Sequence, residues 1–338
     1  MTKERQSNFE LLRIVLIIMV LSLHYLGVSL GGALDVKNIP EGYFNYYLAR
    51  FIESFSIIAV DCFVIITGYF MCKKQKIKCK RILELVLIYF FYLFSITIGV
   101  VLFKPKLFDI SIFTDALFMK NSGAWFIVTY VILYLLIPYL NRFIEKINRK
   151  EFRTLIIITL FFFSILPTFF QIGTVKDNGY GITMFIVLYF IGAYICKYKV
   201  NTRPAGLYFL IFMFSQFITF SNFLNERFFN TLGYNSLFNI IGAVCFFLFF
   251  SKLNIKSSIV NKVINKLSVS VFSIYIIHMN SFISKYIWQG IFNCSSYYTD
   301  KLFIVNLIIS VISVFIVCVI IDFFRIKIFK FIQRFFVS

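Results

Sequence analysis

His24 and His278 are the only two histidines in the 338-residue chain, and both fall inside long apolar runs. Asp61 falls inside a third. An ionisable side chain at the centre of a membrane helix is disfavoured by about 2.5–3.5 kcal/mol on insertion scales, so it marks function or pairing by default. The expected helices place all three groups near their midpoints, at one depth. A neutral imidazole takes the proton of a hydroxyl that is otherwise a poor nucleophile. A carboxylate on its second ring nitrogen holds the tautomer and stabilises the imidazolium that forms. His24 is therefore the expected base, with Asp61 as its partner. His24 as a covalent acyl carrier is a second route that residue types alone do not separate from the first.

Arg13 precedes His24 by 11 positions. At about 100° per residue the two differ by about 20° around a helix and share a face, about 16 Å apart along the axis. That is half the hydrocarbon thickness of a bilayer. Arg13 would sit at the inner interface and His24 near the midplane. A cytoplasmic molecule with an anionic head and a long reactive arm fits such a ruler. Acyl-CoA is one, with phosphates for Arg13 and a thioester for His24. A plainer reading stays open, in which Arg13 snorkels to lipid phosphate and His24 bonds a neighbouring helix. Ser7 and Glu10 have the spacing of a capping box, and Glu10 also stands i,i+3 to Arg13. The basic run from Lys73 to Arg81 reads either as a topogenic loop or as a cofactor contact through Lys78, Lys80 and Arg81. His278 is open to substrate binding or to a purely interhelical bond. Asp322 and Arg325 read as a local pair.

The elements that must position these groups follow from composition. Apolar residues make up 60% of the chain, charged residues 14%, and mean hydropathy is +0.86. With 47 Phe and 20 Tyr, the chain has more apolar side chain than a soluble core of this size hides. The same figures exclude intrinsic disorder. The expected fold is an all-α integral membrane protein of about ten transmembrane helices, near 11–30, 49–71, 82–103, 124–141, 154–172, 182–198, 206–222, 234–251, 267–289 and 303–324. Asn235, Ser236 and Asn239 weaken the start of the eighth. Most of the 34 Lys and Arg fall at alternate helix ends: Lys3 and Arg5, then 73–81, 142–153, 197–203, 252–266 and 325–334. This alternation predicts both termini cytoplasmic. It also reads the net charge of +19 as lipid-facing rather than nucleic-acid-binding. Trp125 and Trp288 fall at expected outer boundaries, where amphipathic rings settle, and Trp125 is also a candidate substrate contact. The first span reads as a retained helix rather than a signal peptide. Seven scattered cysteines without a CxxC pair point to no metal site and no disulfide framework. Short loops leave a single polytopic membrane domain over 1–338.

With these residues in view, the chain resembles the membrane acyltransferase-3 family. Arg13 and His24 match its Arg-x10-His signature. Val60-Asp61-Cys62-Phe63-Val64-Ile65-Ile66-Thr67-Gly68-Tyr69 is similar to its VDLFFVLSGF motif, and Lys78 to Arg81 stand where the family carries arginines. Trp125-Phe126 through Tyr134-Leu135 and Pro138 resembles its WF…YLLxP segment, and Ser273 to His278 its GIYLIH motif. Glu10 replaces a more usual Asp, Ile14 a frequent Gly, and Thr67-Gly68-Tyr69 a Ser-Gly-Phe. The resemblance implies a multi-pass plasma-membrane O-acetyltransferase of bacterial type, without the SGNH hydrolase domain of many relatives. It implies acetyl-CoA as acyl donor and no metal. The implied acceptors are capsules, exopolysaccharides, lipopolysaccharide, peptidoglycan or lipid-linked sugars, and the implied partners other polysaccharide-assembly proteins. A transporter or flippase of lipid-linked sugar is the leading alternative, because midplane ionisable groups also suit substrate passage. A polysaccharide polymerase would need a large outer loop, and a scaffold leaves Asp61 and His24 unexplained.

Overall fold

Peptide groups in hydrocarbon find no water, so an apolar run must close its own hydrogen bonds as a helix. The computed structural model describes residues 6–27, 30–35, 43–120, 122–172, 177–225 and 230–336. Among these, every regular element is helical, and the protein is an all-α integral membrane protein. Each expected span meets a helix. The first four are α1 (Ser7–Leu26), α2 (Phe44–Ser56) running on into α3 (Ala59–Met71), α4 (Cys79–Phe103) and, after the short α5 (Ile110–Leu117), α6 (Trp125–Lys146). The fifth joins α7 (Arg149–Leu160), a π-helical turn at Phe161–Ile165 and α8 (Leu166–Phe170). Then come α9 (Ile182–Tyr198), α10 (Ala205–Asn225), α11 (Leu237–Ser251), α12 (Ser258–Leu267) with α13 (Val271–His278), the single turn α14 (Cys294–Tyr297), and α15 (Phe303–Phe336). Eight of these spans are long and apolar enough to cross a membrane, while α9 and α11 are shorter apolar helices. Of the basic positions used for topology, Lys3 and Arg5 lie outside the described residues.

Three expectations about position change. The first span begins at Ser7 rather than near 11, because the charges of Glu10 and Arg13 cancel in a 2.7 Å ion pair. It stops at Gly27, whose backbone turns extended while its N–H still bonds the Leu23 carbonyl at 2.7 Å. His24 therefore lies in the last turn of α1 rather than at its middle. The ninth span ends at His278, rather than centring on it. The second is interrupted at residues 57–58, which puts Asp61 in the first turn of α3. Nor is Ser7 an N-cap. Gln6 occupies that position without a side-chain bond, since Glu10 is taken up by Arg13 and the Ser7 hydroxyl reaches Asn265 at 3.4 Å.

The chain forms two compact units with interleaved segments. The first comprises Met1–Tyr46, Leu85–Gly123 and Ile255–Ser338. In it, α1 packs on α12, α13 and α15, with Leu12, Leu16, Leu21, Tyr25 and Leu26 wholly buried. Tyr25 donates to Asn306 at 2.6 Å and pins the end of α1 to the start of α15. The second unit comprises Tyr47–Glu84 and Ala124–Asn254. There α3 packs against α9 and α11. Gly68 lies on the Tyr189 carbonyl and Gly192 on that of Ile65, each so close that a Cβ would stand 2.3 Å from the oxygen. Small residues of this kind let membrane helices approach closely, which matters where no hydrophobic effect drives helices together. At the end of α3, the Asn141 amide donates to the Met71 and Lys74 carbonyls, 2.8 Å each, and accepts from Tyr189 at 2.7 Å. It thereby satisfies carbonyls that a helix end leaves open.

Candidate functional site

The two histidines meet. His24 lies 254 residues before His278 in sequence, yet its Nδ1 is 2.7 Å from the His278 Nε2, and the ring centroids are 4.9 Å apart. The His278 Nδ1 lies 2.5 Å from the Ile274 carbonyl, one turn back on α13. A carbonyl oxygen only accepts, so the proton of a neutral His278 is on Nδ1 and its Nε2 bears the lone pair. His24 Nδ1–H must then be the donor between the rings. That leaves the lone pair of His24 on Nε2. Two hydrogen bonds thus select one tautomer at each ring and point a single basic nitrogen away from the pair.

His278 is wholly buried, and both of its ring nitrogens are engaged within the protein. Of the two roles open to it, substrate binding and an interhelical bond, the bond to His24 is the one seen. Tyr275 and Trp288 wall it in edge-on, with ring centroids at 6.0 and 6.3 Å. Tyr275 is anchored by its hydroxyl to the Gly123 carbonyl at 2.9 Å. Trp288 is 0% exposed and sits in a π-helical turn, Tyr286–Ile291, so it is a packing residue here and not an interfacial ring. The indole also meets Tyr25 edge-on at 6.3 Å. His24 itself is only partly buried.

Arg13 is 11 residues further down α1. Its Nη1 donates to Glu10 at 2.7 Å, and about a third of its side chain, 32%, stays exposed. On α15 the buried Asp322 accepts from the Tyr92 hydroxyl at 2.7 Å and from Arg325 Nε at 2.6 Å. The expected local pair is therefore one part of a three-residue network.

The remaining expected residues belong to the second unit. Asp61 is 0% exposed, and neither carboxylate oxygen has a hydrogen-bond partner among the described residues. The ring held against His24 is that of His278. Lys78, Lys80 and Arg81 are exposed, with Lys80 and Arg81 in the first turn of α4. Cations there add to the positive end of the helix dipole and favour an anion at that turn. Trp125 begins α6 and packs on Tyr180 and Tyr234, with centroids at 4.6 and 5.8 Å. Sequence reasoning missed the histidine pair, although the presence of just two histidines was a signal.

Among the described residues, no group of three or more His, Cys, Asp or Glu side chains could hold a metal ion. The chain matches the acyltransferase-3 family, described as an acyltransferase domain, over residues 6–323. No curated protein and no solved structure matches it. A match over nearly the whole chain, on a helical membrane scaffold, shows that this protein belongs to the acyltransferase-3 family of membrane acyltransferases.

Proposed function

We propose that the protein transfers an acetyl group from acetyl-CoA to a hydroxyl of a cell-surface or capsular polysaccharide, or of its lipid-linked precursor, at the plasma membrane. The observation that carries this reading is the Nδ1–H···Nε2 bond between His24 and His278, because it presents His24 Nε2 as a base of defined tautomer. The hydroxyl oxygen attacks the thioester carbonyl while His24 Nε2 takes its proton. The C–S bond then breaks, and the imidazolium returns that proton to the departing thiolate. Positive charge on His24 is shared with His278 through the bond between them and ends on the Ile274 carbonyl, as the third member of a triad steadies its histidine. A positioned base of this kind is worth about 10²–10⁴ in rate.

Arg13, whose side chain is about a third exposed at 32%, is a candidate contact for donor phosphate, and so, separately, are Lys78, Lys80 and Arg81. Asp61 serves as a proton site during turnover. What supports that role is a wholly buried carboxyl group with no partner, which is unfavourable unless a donor arrives or a proton is held. The test is isotope transfer. Membranes are incubated with acetyl-labelled acetyl-CoA and surface glycan, comparing wild type with His24→Ala. Label in an alkali-labile sugar ester, seen only with wild type, is the expected result. Intact acetyl-CoA and unlabelled glycan with correctly inserted wild type would refute the proposal and favour a transporter.

A further inference from the structure

We infer that the π-helical turn Tyr286–Ile291 is a brace that registers His24 against His278, with Gln289 and Gly31 as positioning residues for the base. Its effect on rate rests on the acyltransferase reading above. All of its members belong to the first unit.

The chain that leaves α1 turns back onto it. A helix end leaves its last four carbonyls without partners inside the helix. Gly27 N–H donates to the Leu23 carbonyl at 2.7 Å, and Gly31 N–H donates to the carbonyl of His24 itself at 2.9 Å. Gly32, at a left-handed φ of 73°, closes the turn on the Gly27 carbonyl at 3.0 Å. The fit admits no side chain at residue 31, where a Cβ would stand 1.8 Å from the Tyr25 carbonyl oxygen. Glycine is the residue that lets two stretches of backbone approach so closely.

What fastens this loop comes from far along the sequence. Gln289 Nε2 donates to the Leu30 carbonyl at 2.8 Å, across 259 residues. Its neighbour Trp288 meets Tyr25 and His278 edge-on, with ring centroids 6.3 Å from each. The indole N–H has no acceptor among the described residues, so this ring acts through its surface. One turn of chain thus reaches both members of the histidine pair. Trp288 packs on the His278 ring and on the residue after His24, and Gln289 holds the loop whose N–H binds the His24 carbonyl.

Helix capping alone would account for the Gly31 bond. It leaves unexplained why the capping loop is fastened to the same turn that walls in His278. π-helical turns are rare and occur often at functional sites, and this one gives α1 and α13 a common reference at the ends that carry the histidines. The need for one is quantitative. The ring nitrogens stand 2.7 Å apart, and N–H donors bond over about 2.7–3.2 Å, so the pair tolerates about half an ångström of drift. A misplacement of about 1 Å at a reacting group costs about 10² in rate.

The full chain, ¹⁵N-labelled at its two histidines and held in nanodiscs, is compared with Gln289→Leu and Gly31→Ala. Gln289→Leu removes the donor at nearly constant volume and is expected to abolish the coupling across the His24–His278 bond. In the transfer assay it lowers kcat about 10-fold and leaves the acetyl-CoA KM unchanged. Its kcat–pH profile shifts as well, whereas a loss of helix stability alone lowers the melting temperature and leaves that profile in place. Gly31→Ala, whose Cβ has no room, gives the larger fall. Where the leucine variant does not insert, Gln289→Met keeps the side-chain length and takes its place. The inference is overturned if an inserted Gln289 variant keeps the wild-type coupling and kcat–pH profile, or if the acetyl-CoA KM rises while kcat stands. Absence of any label transfer by wild type refutes the acyltransferase reading, and the coupling still decides the brace.

Discussion

In the unit that carries both chain termini, buried ionisable groups come with partners: His278 bonds His24 and Ile274, and Asp322 bonds Tyr92 and Arg325. In the central unit, Asp61 has neither oxygen bonded among the described residues, whereas Asp322 is held through Oδ1 and leaves one buried oxygen, Oδ2, without a partner there. Membrane interiors make the contrast meaningful, since an unpaired polar group there has no water to fall back on. Partnered groups hold a geometry before any ligand arrives. An unpartnered carboxyl such as that of Asp61 holds nothing in place, which fits the proton site proposed for it. The two kinds of site should therefore respond to substitution in different ways.

The largest effect is expected at His24. His24→Ala removes the basic nitrogen and should lower transfer about 10³-fold, measured as label incorporation per mole of inserted protein. Next is Arg325→Met, which strands Asp322 as a buried unpaired charge and should destabilise the fold by about 3–5 kcal/mol. Asp322→Leu in the same chain should restore most of that loss in a thermal or denaturant melt. His278→Asn should lower kcat about 10²-fold and leave the acetyl-CoA KM unchanged, because it disturbs the base and not the donor site. Its pH–rate profile should shift as well, which simple loss of packing would not produce. Asp61→Asn should keep or raise the melting temperature, since it removes a buried carboxyl without breaking a bond, and lower kcat about 10-fold. A marked loss of stability there would erase the contrast between the units. Smallest is the double change Lys80→Ala, Arg81→Ala. It should raise the acetyl-CoA KM a few-fold and flatten its salt dependence, as exposed charges are screened.

Much of the helical framework was legible from apolar runs alone, because an unbroken run of about 20 such residues has few other ways to fold in lipid. The eighth span was legible despite Asn235, Ser236 and Asn239. The structure shows why they are tolerated: Asn239 bonds loop carbonyls, and Ser236 stands at the N-cap position. The site was legible as a set of residues but not as a set of contacts. Arg13, His24 and Asp61 stand out by type and spacing. The pairing of His24 with His278 depends on the ninth span ending at residue 278, and hydropathy does not register a helix end that closely. Trp288 misled for a related reason. An indole near an expected boundary usually seeks the interface, but the π-helical turn at Tyr286–Ile291 rotates this one inward against Tyr25 and His278. The contact of Tyr180 with Tyr234 depends on two loops meeting, which no periodicity announces.

The central claim is that His278 selects the tautomer that makes His24 Nε2 the base. Only two histidines are present, so ¹⁵N-histidine labelling gives a spectrum of four ring nitrogens from the protein in nanodiscs. At pH 8, above the ordinary imidazole pKa of about 6.5, both rings should appear as Nδ1–H tautomers. A coupling from His24 Nδ1 to His278 Nε2 should cross the hydrogen bond and vanish in His278→Asn. An Nε2–H tautomer at His24, or two rings with no coupling between them, would contradict the account.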